Sequence, residues 1–389
     1  MWFFSSPTIV FGESSLSYLG QISIQRAFIV SDANLVAAGL VKEVIDCLPD
    51  GARVVGEFCT VEPDPTLETA ERGARQMLET CPDWIIAVGG GSVMDAAKAM
   101  WILYERPDMQ ADAINPVEVL GLRKKARLIA VPTTVGTGSE ATWATVLTDP
   151  KENRKLGLGN RECLPDIAIL DPLMVQRLPL PILVDTAMDA LTHAIEGFTS
   201  TWHNVFSDGL CLKATELICT ALPQCASDPP SMEHRASLQN AATIAGLGFG
   251  NSMAALAHGM GHALGGIFHT PHGREVSMFL PYTIEYSLGG EPNSTRSQPL
   301  ASLLSLPAST ELEAGPHLAA YLRDLMTRLG QPISLAQLGI TSHELDAKMP
   351  GLIENALNDT QTIMGTRIPD RSEIEMLFRV AFDGRRIDF

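Results

Sequence analysis

Up to Asp171 the chain alternates short apolar runs, many of them β-branched, with longer stretches that repeat apolar residues at helical spacing. This alternation is typical of a parallel sheet that is covered by helices on both faces. The predicted strands are Ala27–Ser31, Arg53–Phe58, Trp84–Val88, Leu128–Val131 and Ile167–Leu170. The predicted helices between them are Leu35–Cys47, Thr66–Thr80 and Ser92–Tyr104.

After Asp171 the β-branched runs stop, and prolines at 172, 179 and 181 accompany the change. The pattern is helical from there, with Gly289–Ser309, rich in Pro, Ser, Gly and Leu, predicted as a long surface loop. The predicted helices are Val184–Ser200, Val205–Ala221, Met232–Phe249 and Ala254–Gly265, with others after Pro316. We therefore predict an α/β domain over residues 1–180 and an all-α domain over residues 181–389.

Composition narrows the class of protein further. The 389 residues are 46% hydrophobic and 19% charged, which excludes a disordered chain. The net charge of -17 would repel a phosphate backbone, so nucleic acid is not expected as a partner. No apolar run approaches the roughly 18 residues of a membrane span. Seven cysteines without a Cys-x-x-Cys pair predict a reduced, cytoplasmic protein.

A glycine-rich turn follows one predicted strand directly. Residues 89–92 read Gly-Gly-Gly-Ser and lead from Trp84–Val88 into the helix Ser92–Tyr104. Backbone N–H groups at such a helix start can cradle a phosphate. The turn is not G-x-G-x-x-G, so a tight structural turn is the alternative interpretation.

Two other predicted strands also end in polar residues. Residues 132–140 read PTTVGTGSE after Val131, and Ser31 and Asp32 follow Val30. A carboxylate in the position of Asp32 can accept hydrogen bonds from both ribose hydroxyls and would repel a 2′-phosphate. Because ligands of open α/β sheets bind at the carboxyl ends of strands, the three ends together predict a nucleotide site.

Seven of the nine histidines lie between positions 193 and 272, and five of these fall in three short motifs. Asp189 and His193 are four residues apart, a spacing that places both on one face of a helix, and His258 and His262 repeat it. The segment 269–273, His-Thr-Pro-His-Gly, is predicted as a turn. A single buried histidine is usually a core residue, but this repetition predicts a metal site. Imidazole and carboxylate ligands suit iron(II) or zinc, and manganese, cobalt or nickel stay open.

Taken together, residues 89–95, 132–140, 188–197 and 258–273 resemble the iron-containing (group III) alcohol dehydrogenases, which have a dehydroquinate synthase-like fold. The resemblance runs from Phe11 to the C-terminus. It implies a Rossmann-like, dinucleotide-binding N-terminal domain, an all-helical metal-binding domain and an active site in the cleft between them.

The resemblance also implies roles for individual residues. The implied metal ligands are Asp189, His193, His258 and His272. His262 would be the catalytic residue, lying beside nicotinamide and substrate and relaying the alcohol proton without binding the metal. The implied cofactor residues are Asp32, associated with NAD rather than NADP, Gly89, Gly90, Gly91, Ser92 and Asp95 of the pyrophosphate turn, Thr133, Thr134 and Thr137 of the second loop, and Lys155.

The substrate pocket departs from family patterns. Trp143, Ala144 and Phe249 would line it, and Ala144 stands where some small-aldehyde reductases have asparagine. Asp64 also stands where asparagine is common, and residues 274–276, Arg-Glu-Val, replace a stretch that often carries one. The pocket is therefore expected to be apolar, with Arg274 available to an anionic substrate.

The expected reaction is hydride transfer between NAD(H) and a small primary alcohol or aldehyde, with Fe²⁺ as the first choice of metal and Zn²⁺ as the second. Alternatives on the same fold are a polyol or phosphorylated-aldehyde or phosphonate-aldehyde dehydrogenase, a lyase, and a non-catalytic scaffold. A homodimer or higher homo-oligomer is expected if residues 2–4 (Trp-Phe-Phe) and 8–11 pair with a second copy. The alternative is a hairpin that caps the protein's own sheet.

Overall fold

The computed structural model describes residues 3–151, 154–226, 231–291, 295–387 and 389. The strands are β1 Thr8–Phe11, β2 Arg26–Val30, β3 Arg53–Phe58, β4 Trp84–Gly89, β5 Arg127–Pro132, β6 Ala144–Asp149, β7 Arg154–Gly159 and β8 Ile167–Leu170. The helices are α1 Ala33–Ala37, α2 Leu40–Asp46, α3 Leu67–Thr80, α4 Gly91–Glu105, α5 Leu180–Thr199, α6 Val205–Cys225, α7 Met232–Gly250, α8 Leu256–Phe268, α9 His272–Leu288, α10 Ser297–Leu303, α11 Glu311–Arg328, α12 Ser342–Asn358 and α13 Arg371–Asp383.

Six strands form one parallel sheet in the order β1-β8-β5-β4-β2-β3. All five predicted strands lie in it, within about a residue of the predicted ends. Both faces are buried, one under α3 and α4 and the other under α2 and the short 3-10 segment at 15–21. The strands β5, β4 and β2 are neighbours, so the three polar strand ends meet at the same edge of the sheet.

The N-terminal segment forms an edge strand rather than a hairpin. β1 pairs in parallel with β8, with Thr8 opposite Ile167, so the segment joins the protein's own sheet but the alternative of a hairpin is wrong. Phe3 and Phe4 before it are exposed, and Trp2 lies outside the described residues. A second element that the sequence analysis missed is the antiparallel pair β6 and β7, which follows β5.

Two predicted segments differ from the structure. The helix predicted over Leu35–Cys47 is broken into α1 and α2 at Gly39, whose φ of 81° lies in the left-handed region. The long loop predicted over 289–309 contains α10, in which Leu300 and Ala301 are buried. Composition alone suggested a loop, but these apolar side chains have a core to pack against, and tertiary packing stabilises the short helix.

The helical part surrounds one apolar cluster to which all the helices from α5 to α13 contribute. No strand follows β8 in the described part of the chain, so the predicted α/β sheet followed by a helical region is confirmed. The predicted boundary near residue 180 coincides with the first residue of α5, and the division into two domains stays a prediction. None of the described helices is long and apolar enough to cross a membrane.

Candidate active site

Helix α5 carries three chemically active side chains on one buried face. Asp189, His193 and Glu196 follow one another at intervals of four and three residues, which keeps them on one side of a helix. Their exposed fractions are 1%, 5% and 3%. Burying polar groups costs free energy unless each of them has a partner. The residues that contact this face therefore determine which ligand or ion it can bind.

The carboxylate of Asp189 is the centre of a cluster of imidazoles. Its Oδ1 lies 3.5 Å from His193 Nδ1, 3.7 Å from His258 Nε2 and 3.5 Å from His272 Nε2. Ligands about 2.1 Å from a tetrahedral ion are about 3.4 Å apart, so these separations fit donors of a single ion. Asp189, His258 and His272 form the one such group among the residues that the structure describes.

Several atoms of this cluster are buried without a hydrogen-bond partner. Within the described part of the chain they are Asp189 Oδ1, His193 Nδ1 and His258 Nε2. Leaving such an atom unsatisfied costs about 1–3 kcal/mol, and the two ring nitrogens lie 3.5 and 3.7 Å from Asp189 Oδ1. A divalent cation held by Asp189 and His258 would satisfy the orphaned atom of each, so the residues present fit a metal ion.

Protonation equilibria in the cluster leave every ligand except His258 without a proton near neutral pH. Burial lowers the pKa of His193 to about 3 and that of His272 well below its usual value, so both rings are neutral near neutral pH. Burial opposes the charge of His258 too, but the neighbouring carboxylates of Asp189 and Glu196 prevail and raise its pKa to about 9. Burial opposes ionisation of Asp189, yet the surrounding histidines lower its pKa and keep it ionised.

His193 stands at the rim of the cluster. Its ring stacks on Phe249 with centroids 4.0 Å apart and lies 4.3 Å from the ring of His258. It does not belong to the close group formed by Asp189, His258 and His272, although its Nδ1 is near Asp189. Its role as a fourth ligand therefore stays a prediction.

Glu196 is a site residue that the sequence analysis did not single out. Its Oε2 lies 2.5 Å from His258 Nδ1, and the two carboxylate oxygens accept hydrogen bonds from the backbone N–H groups of Ala255 and Ala257. The signal that could have found it is its position seven residues after Asp189, on the same helical face. The pair ties α5 to the start of α8.

His272 reaches the cluster because α9 approaches α5 closely. A Cβ on Gly273 would lie 2.1 Å from the backbone oxygen of Asp185 and 3.0 Å from Cβ of Asp189, so only glycine fits there. The turn predicted over 269–273 is shorter in the structure than expected. It ends at Pro271, which caps α9, and His272 is the first residue of that helix.

His262 lies one helical turn after His258. Its Nδ1 is 2.7 Å from Asp359 Oδ2, and its ring stacks at 5.3 Å on the ring of His272. The carboxylate of Asp359 was not predicted, because it comes from a segment 97 residues further along the chain. A partly exposed imidazole that is oriented by a carboxylate is well suited to proton transfer.

The glycine-rich turn and the threonine-rich loop lie side by side at the carboxyl edge of the sheet. A Cβ on Gly90 would lie 2.9 Å from Thr134, and one on Gly91 would lie 2.6 Å from Thr137. The N–H of Thr133 donates to the carbonyl of Gly89, which joins the two segments. Ser92 follows in the first turn of α4 and is partly exposed. The backbone N–H groups at this helix start are candidate phosphate donors, and we call the border between the two segments the candidate cofactor groove.

The second loop also contacts the helices of the metal cluster. A Cβ on Gly136 would lie 2.7 Å from Cβ of Thr186 in α5, one turn before Asp189. Gly138 has a φ of 59° and packs against Gly246 of α7. The loop that borders the candidate cofactor groove is therefore packed against the helix that carries the metal cluster.

Three other predicted cofactor residues have partners within the protein. Asp32 follows β2 and caps α1 by accepting from the N–H groups at 34 and 35. Asp95 accepts from Ser139 Oγ at 2.7 Å and from the N–H at 146, and it lies 4.0 Å from the buried Lys98. Lys155 on β7 pairs with Asp64 at 2.7 Å. Their contacts with a cofactor stay predictions.

The predicted pocket residues lie near the end of α7. Trp143 donates from Nε1 to the carbonyl of Gly250 at 2.8 Å, next to Phe249, which stacks on His193. Ala144 follows as the first residue of β6. Arg274 differs from the expectation, because it forms a bidentate ion pair with Asp185 and is only 33% exposed. Its charge is thus neutralised within the protein.

Comparison with known proteins places this site in context. Residues 6–172 match the family described as iron-containing alcohol dehydrogenase, and residues 183–382 match the C-terminal part of the Fe-containing alcohol dehydrogenase family. The NADPH-dependent butanol dehydrogenase of Clostridium saccharobutylicum is 35% identical over 383 residues, 98% of each chain. The chain spans about half the length of the relatives named aldehyde-alcohol dehydrogenase.

Solved structures agree with this result. A 1,3-propanediol oxidoreductase superposes with a TM-score of 0.90 at 29% identity, over 98% of this chain and 100% of the other. The sulfoacetaldehyde reductase of Bifidobacterium kashiwanohense, solved in complex with NAD⁺, superposes with a TM-score of 0.86 at 26% identity, over 98% of each chain. The predicted fold is confirmed by these similarities.

Proposed function

The chain belongs to the iron-containing alcohol dehydrogenase family, and on that premise we propose that it catalyses reversible hydride transfer between NAD(H) and a small primary alcohol or aldehyde. The observation that carries the proposal is the cluster of buried Asp189 and His258 with partly exposed His272, whose donor atoms lie within 4.8 Å of one another. The groove formed by residues 89–92 and 133–137 supports a dinucleotide beside it.

The proposed metal ligands are Asp189, His258, His272 and, completing the set, His193. The unsatisfied Nδ1 of His193, 3.5 Å from Asp189 Oδ1, supports its inclusion. When bound, a divalent ion supplies Lewis acidity toward the alcohol or aldehyde oxygen. Imidazole and carboxylate donors suit iron(II), which the family name favours, and zinc(II) is the second candidate.

The proposed cofactor is NAD(H), which supplies the hydride chemistry while the protein supplies alignment. Asp32 supports this choice, because a carboxylate at the end of β2 would repel a 2′-phosphate. Relatives differ in this respect: the butanol dehydrogenase is named as NADPH-dependent, whereas the sulfoacetaldehyde reductase was solved with NAD⁺. Gly89–Ser92, Asp95, Thr133, Thr134, Thr137 and Lys155 complete the proposed cofactor site.

His262 is the proposed catalytic residue. Asp359 fixes the ring through Nδ1, so that the opposite nitrogen, Nε2, can take up the alcohol proton in one direction and return it in the other. The ring is 18% exposed, which gives it a route for exchange with solvent. Its stack on His272 keeps it beside the metal cluster without making it a ligand.

The proposed substrate is a small alcohol or aldehyde with an apolar chain. Trp143, Ala144 and Phe249 support an apolar pocket, and the internal pairing of Arg274 with Asp185 argues against an anionic group next to it. The names of the relatives, which include butanol and propanol dehydrogenases, support the same class. A phosphorylated or phosphonate aldehyde and a non-catalytic scaffold are not favoured.

A steady-state activity screen tests this proposal. The protein, loaded with iron(II) or zinc(II), is assayed for oxidation of NADH and NADPH with short aliphatic aldehydes, diol-derived aldehydes, and anionic sulfo- or phosphonoaldehydes. We expect the highest kcat/KM with an uncharged aldehyde of two to four carbons. Absence of turnover with every aldehyde, in protein that carries metal, would contradict the proposed reaction.

We further propose a homodimer in the cytoplasm, built from domains at 1–180 and 181–389. The edge strand β1, with Phe11 68% exposed, supports pairing with a second copy, and the seven free cysteines support a reducing compartment. Light scattering coupled to size-exclusion chromatography tests the dimer. A molar mass of 41.9 kDa, that of one chain, would overturn it.

A further inference from the structure

Glu196 makes three contacts at the place where α8 begins. One oxygen accepts from the N–H of Ala257 at 2.6 Å, and the other accepts from the N–H of Ala255 at 3.0 Å and faces His258 Nδ1 at 2.5 Å. All these atoms are buried, and α8 has no capping side chain of its own. The carboxylate thus caps α8 from α5 and contacts a metal-cluster histidine at the same time.

The backbone N–H groups of Ala255 and Ala257 can only donate hydrogen bonds to Glu196. The bond between Glu196 and His258 also has a fixed direction. A carboxylate accepts at both oxygens, so Nδ1 of His258 must be the nitrogen that carries a proton. When the ring is neutral, the other nitrogen, Nε2, has a free lone pair, and it lies 3.7 Å from Asp189 Oδ1. The hydrogen bond at one nitrogen therefore selects the ligating nitrogen of the ring.

We propose that Glu196 is a positioning residue that selects the tautomer and orientation of His258 and thereby sets the affinity of the metal cluster. The inference rests on the metal site of the proposed function. Glu196 would act on the metal through His258, because it is not a member of the ligand group itself. Its hydrogen bonds to α8 hold the two ligand-bearing helices in register.

Glutamine in place of Glu196 isolates this role, because it keeps the size and removes one acceptor. Its NH₂ group must face either Ala257 N–H, which brings two donors together, or the side shared by Ala255 and His258. In the second arrangement His258 accepts at Nδ1 and carries its proton on Nε2, where the metal should bind. The first arrangement displaces Ala257 at the start of α8, the helix that carries His258, and the second removes the lone pair of His258 from the cluster.

The experiment measures metal binding directly. Metal-free wild type, Glu196→Gln and Glu196→Asp are titrated with cobalt(II), whose visible absorption reports ligand geometry, and zinc(II) affinity is obtained by competition with a chromogenic chelator. The control is Thr199→Val on the same helix, which removes a hydroxyl that bonds only to the backbone oxygen of Ile195. Circular dichroism establishes that each protein is folded at the titration temperature.

We expect Glu196→Gln to raise the dissociation constant about 10- to 100-fold and to change the cobalt(II) spectrum. Glu196→Asp, which keeps both acceptors on a shorter side chain, should lose less affinity, and Thr199→Val should match wild type. A Glu196→Gln protein with the wild-type affinity and spectrum, even if its melting temperature is lower, would reduce Glu196 to a helix cap and overturn the proposal.

Two further outcomes keep the test decisive. If Glu196→Gln does not fold, Glu196→Asp carries the test, and wild-type affinity and spectrum in that variant would overturn the proposal. If wild type itself fails to bind one equivalent of cobalt(II) or zinc(II), the metal site of the proposed function fails. If instead wild type binds metal and the Glu196 variant binds it equally well, only the proposed role of Glu196 fails.

Discussion

At the scale of single residues, the site depends on how charge is shared around Asp189. One ionised carboxylate lies within 3.5–3.7 Å of three imidazoles, of which His193 and His272 are held neutral by burial and His258 is held protonated. In the metal-free protein the second proton of His258 therefore occupies the position that a metal ion would take. Metal binding has to displace that one proton.

This proton predicts the pH dependence of metal affinity. Because the pKa of His258 is about 9 and those of His193 and Asp189 are far below neutrality, one proton is released per ion bound. We expect the association constant to rise about tenfold per pH unit up to pH 9 and to level off above it. Chelator competition between about pH 6 and pH 10 measures this slope. A slope near zero or near two would contradict the assignment.

A second buried acid predicts the pH dependence of stability. Glu275 is 0% exposed; Thr270 donates to one of its oxygens, and the other has no hydrogen-bond partner among the described residues. Burial raises its pKa from 4.5 to about 8. The folded state thus holds a proton that the unfolded state has lost, and this contribution to stability is complete below pH 4.5 and disappears as the pH rises through 8.

We therefore expect Glu275→Gln, which mimics the protonated acid, to become progressively more stable than wild type as the pH rises. The difference in the free energy of unfolding should grow by about 1.4 kcal/mol per pH unit between pH 4.5 and 8. Urea unfolding at about pH 6 and pH 8 measures it. A constant difference between the two proteins would show that Glu275 is ionised in the fold.

The preference for NAD depends on one charge at the end of β2. Asp32→Ser keeps an oxygen that can cap α1 and removes the carboxylate that would repel a 2′-phosphate. We expect the ratio of kcat/KM for NADPH to that for NADH to rise roughly tenfold, about 1.4 kcal/mol. Asp50→Ser is a suitable control, because Asp50 precedes the amino end of β3, at the opposite edge of the sheet. An unchanged ratio in Asp32→Ser would exclude this role.

At the scale of elements, the contact between α5 and α9 decides whether His272 reaches the cluster. Ala at position 273 would place a Cβ 2.1 Å from the Asp185 backbone oxygen, so α9 must move outward and carry His272 with it. We expect Gly273→Ala to lower the free energy of unfolding by about 1–3 kcal/mol and to weaken metal binding. Denaturant unfolding and zinc(II) titration measure the two effects.

Gly209→Ala is the matched control for this substitution. Gly209 lies inside α6, and no atom comes within 4 Å of an added Cβ, so alanine should stabilise the helix by about 0.5–1 kcal/mol. Opposite signs for the two glycine variants are the expected result. Equal effects would mean that the close approach of α9 to α5 is not what Gly273 provides.

The elements that could be predicted from the sequence are those whose signal is local. A strand such as β4, buried along its whole length, reads as a continuous apolar run between turn residues, and its ends were predicted closely. The edge strand β1 depends on a partner about 160 positions away, and β7 contains two glycines and two cations, so neither has a clear local signal. The helix α10 forms because its apolar residues meet a core that the sequence does not display.

The same distinction applies to the site. Asp189 and His193, or His258 and His262, could be predicted because a spacing of four residues has a fixed meaning on a helix. Their partners Glu196 and Asp359 act across 62 and 97 residues, and only the folded chain shows which imidazole each one contacts. The ring orientation of His193 depends on Phe249 from another helix, which the sequence could not indicate.

At the scale of the whole molecule, the proposed function depends on contact between the parallel sheet and the helical part. The parallel sheet offers backbone donors at its carboxyl edge, and the helical part offers a buried cluster that needs a cation. The loop after β5 connects them, since Gly136 contacts Thr186 of α5 and Gly138 contacts Gly246 of α7. This shared loop places the candidate cofactor groove next to the metal cluster.

The central claim is that hydride transfer to an aldehyde depends on one metal ion in this cluster. The most direct measurement removes metal from the purified protein with a chelator, restores iron(II) or zinc(II) stepwise, and follows bound metal and aldehyde-dependent NADH oxidation together. We predict that activity is lost without metal and returns in proportion to occupancy up to one ion per chain. Full activity in protein that carries less than about a twentieth of an equivalent of metal would contradict the account.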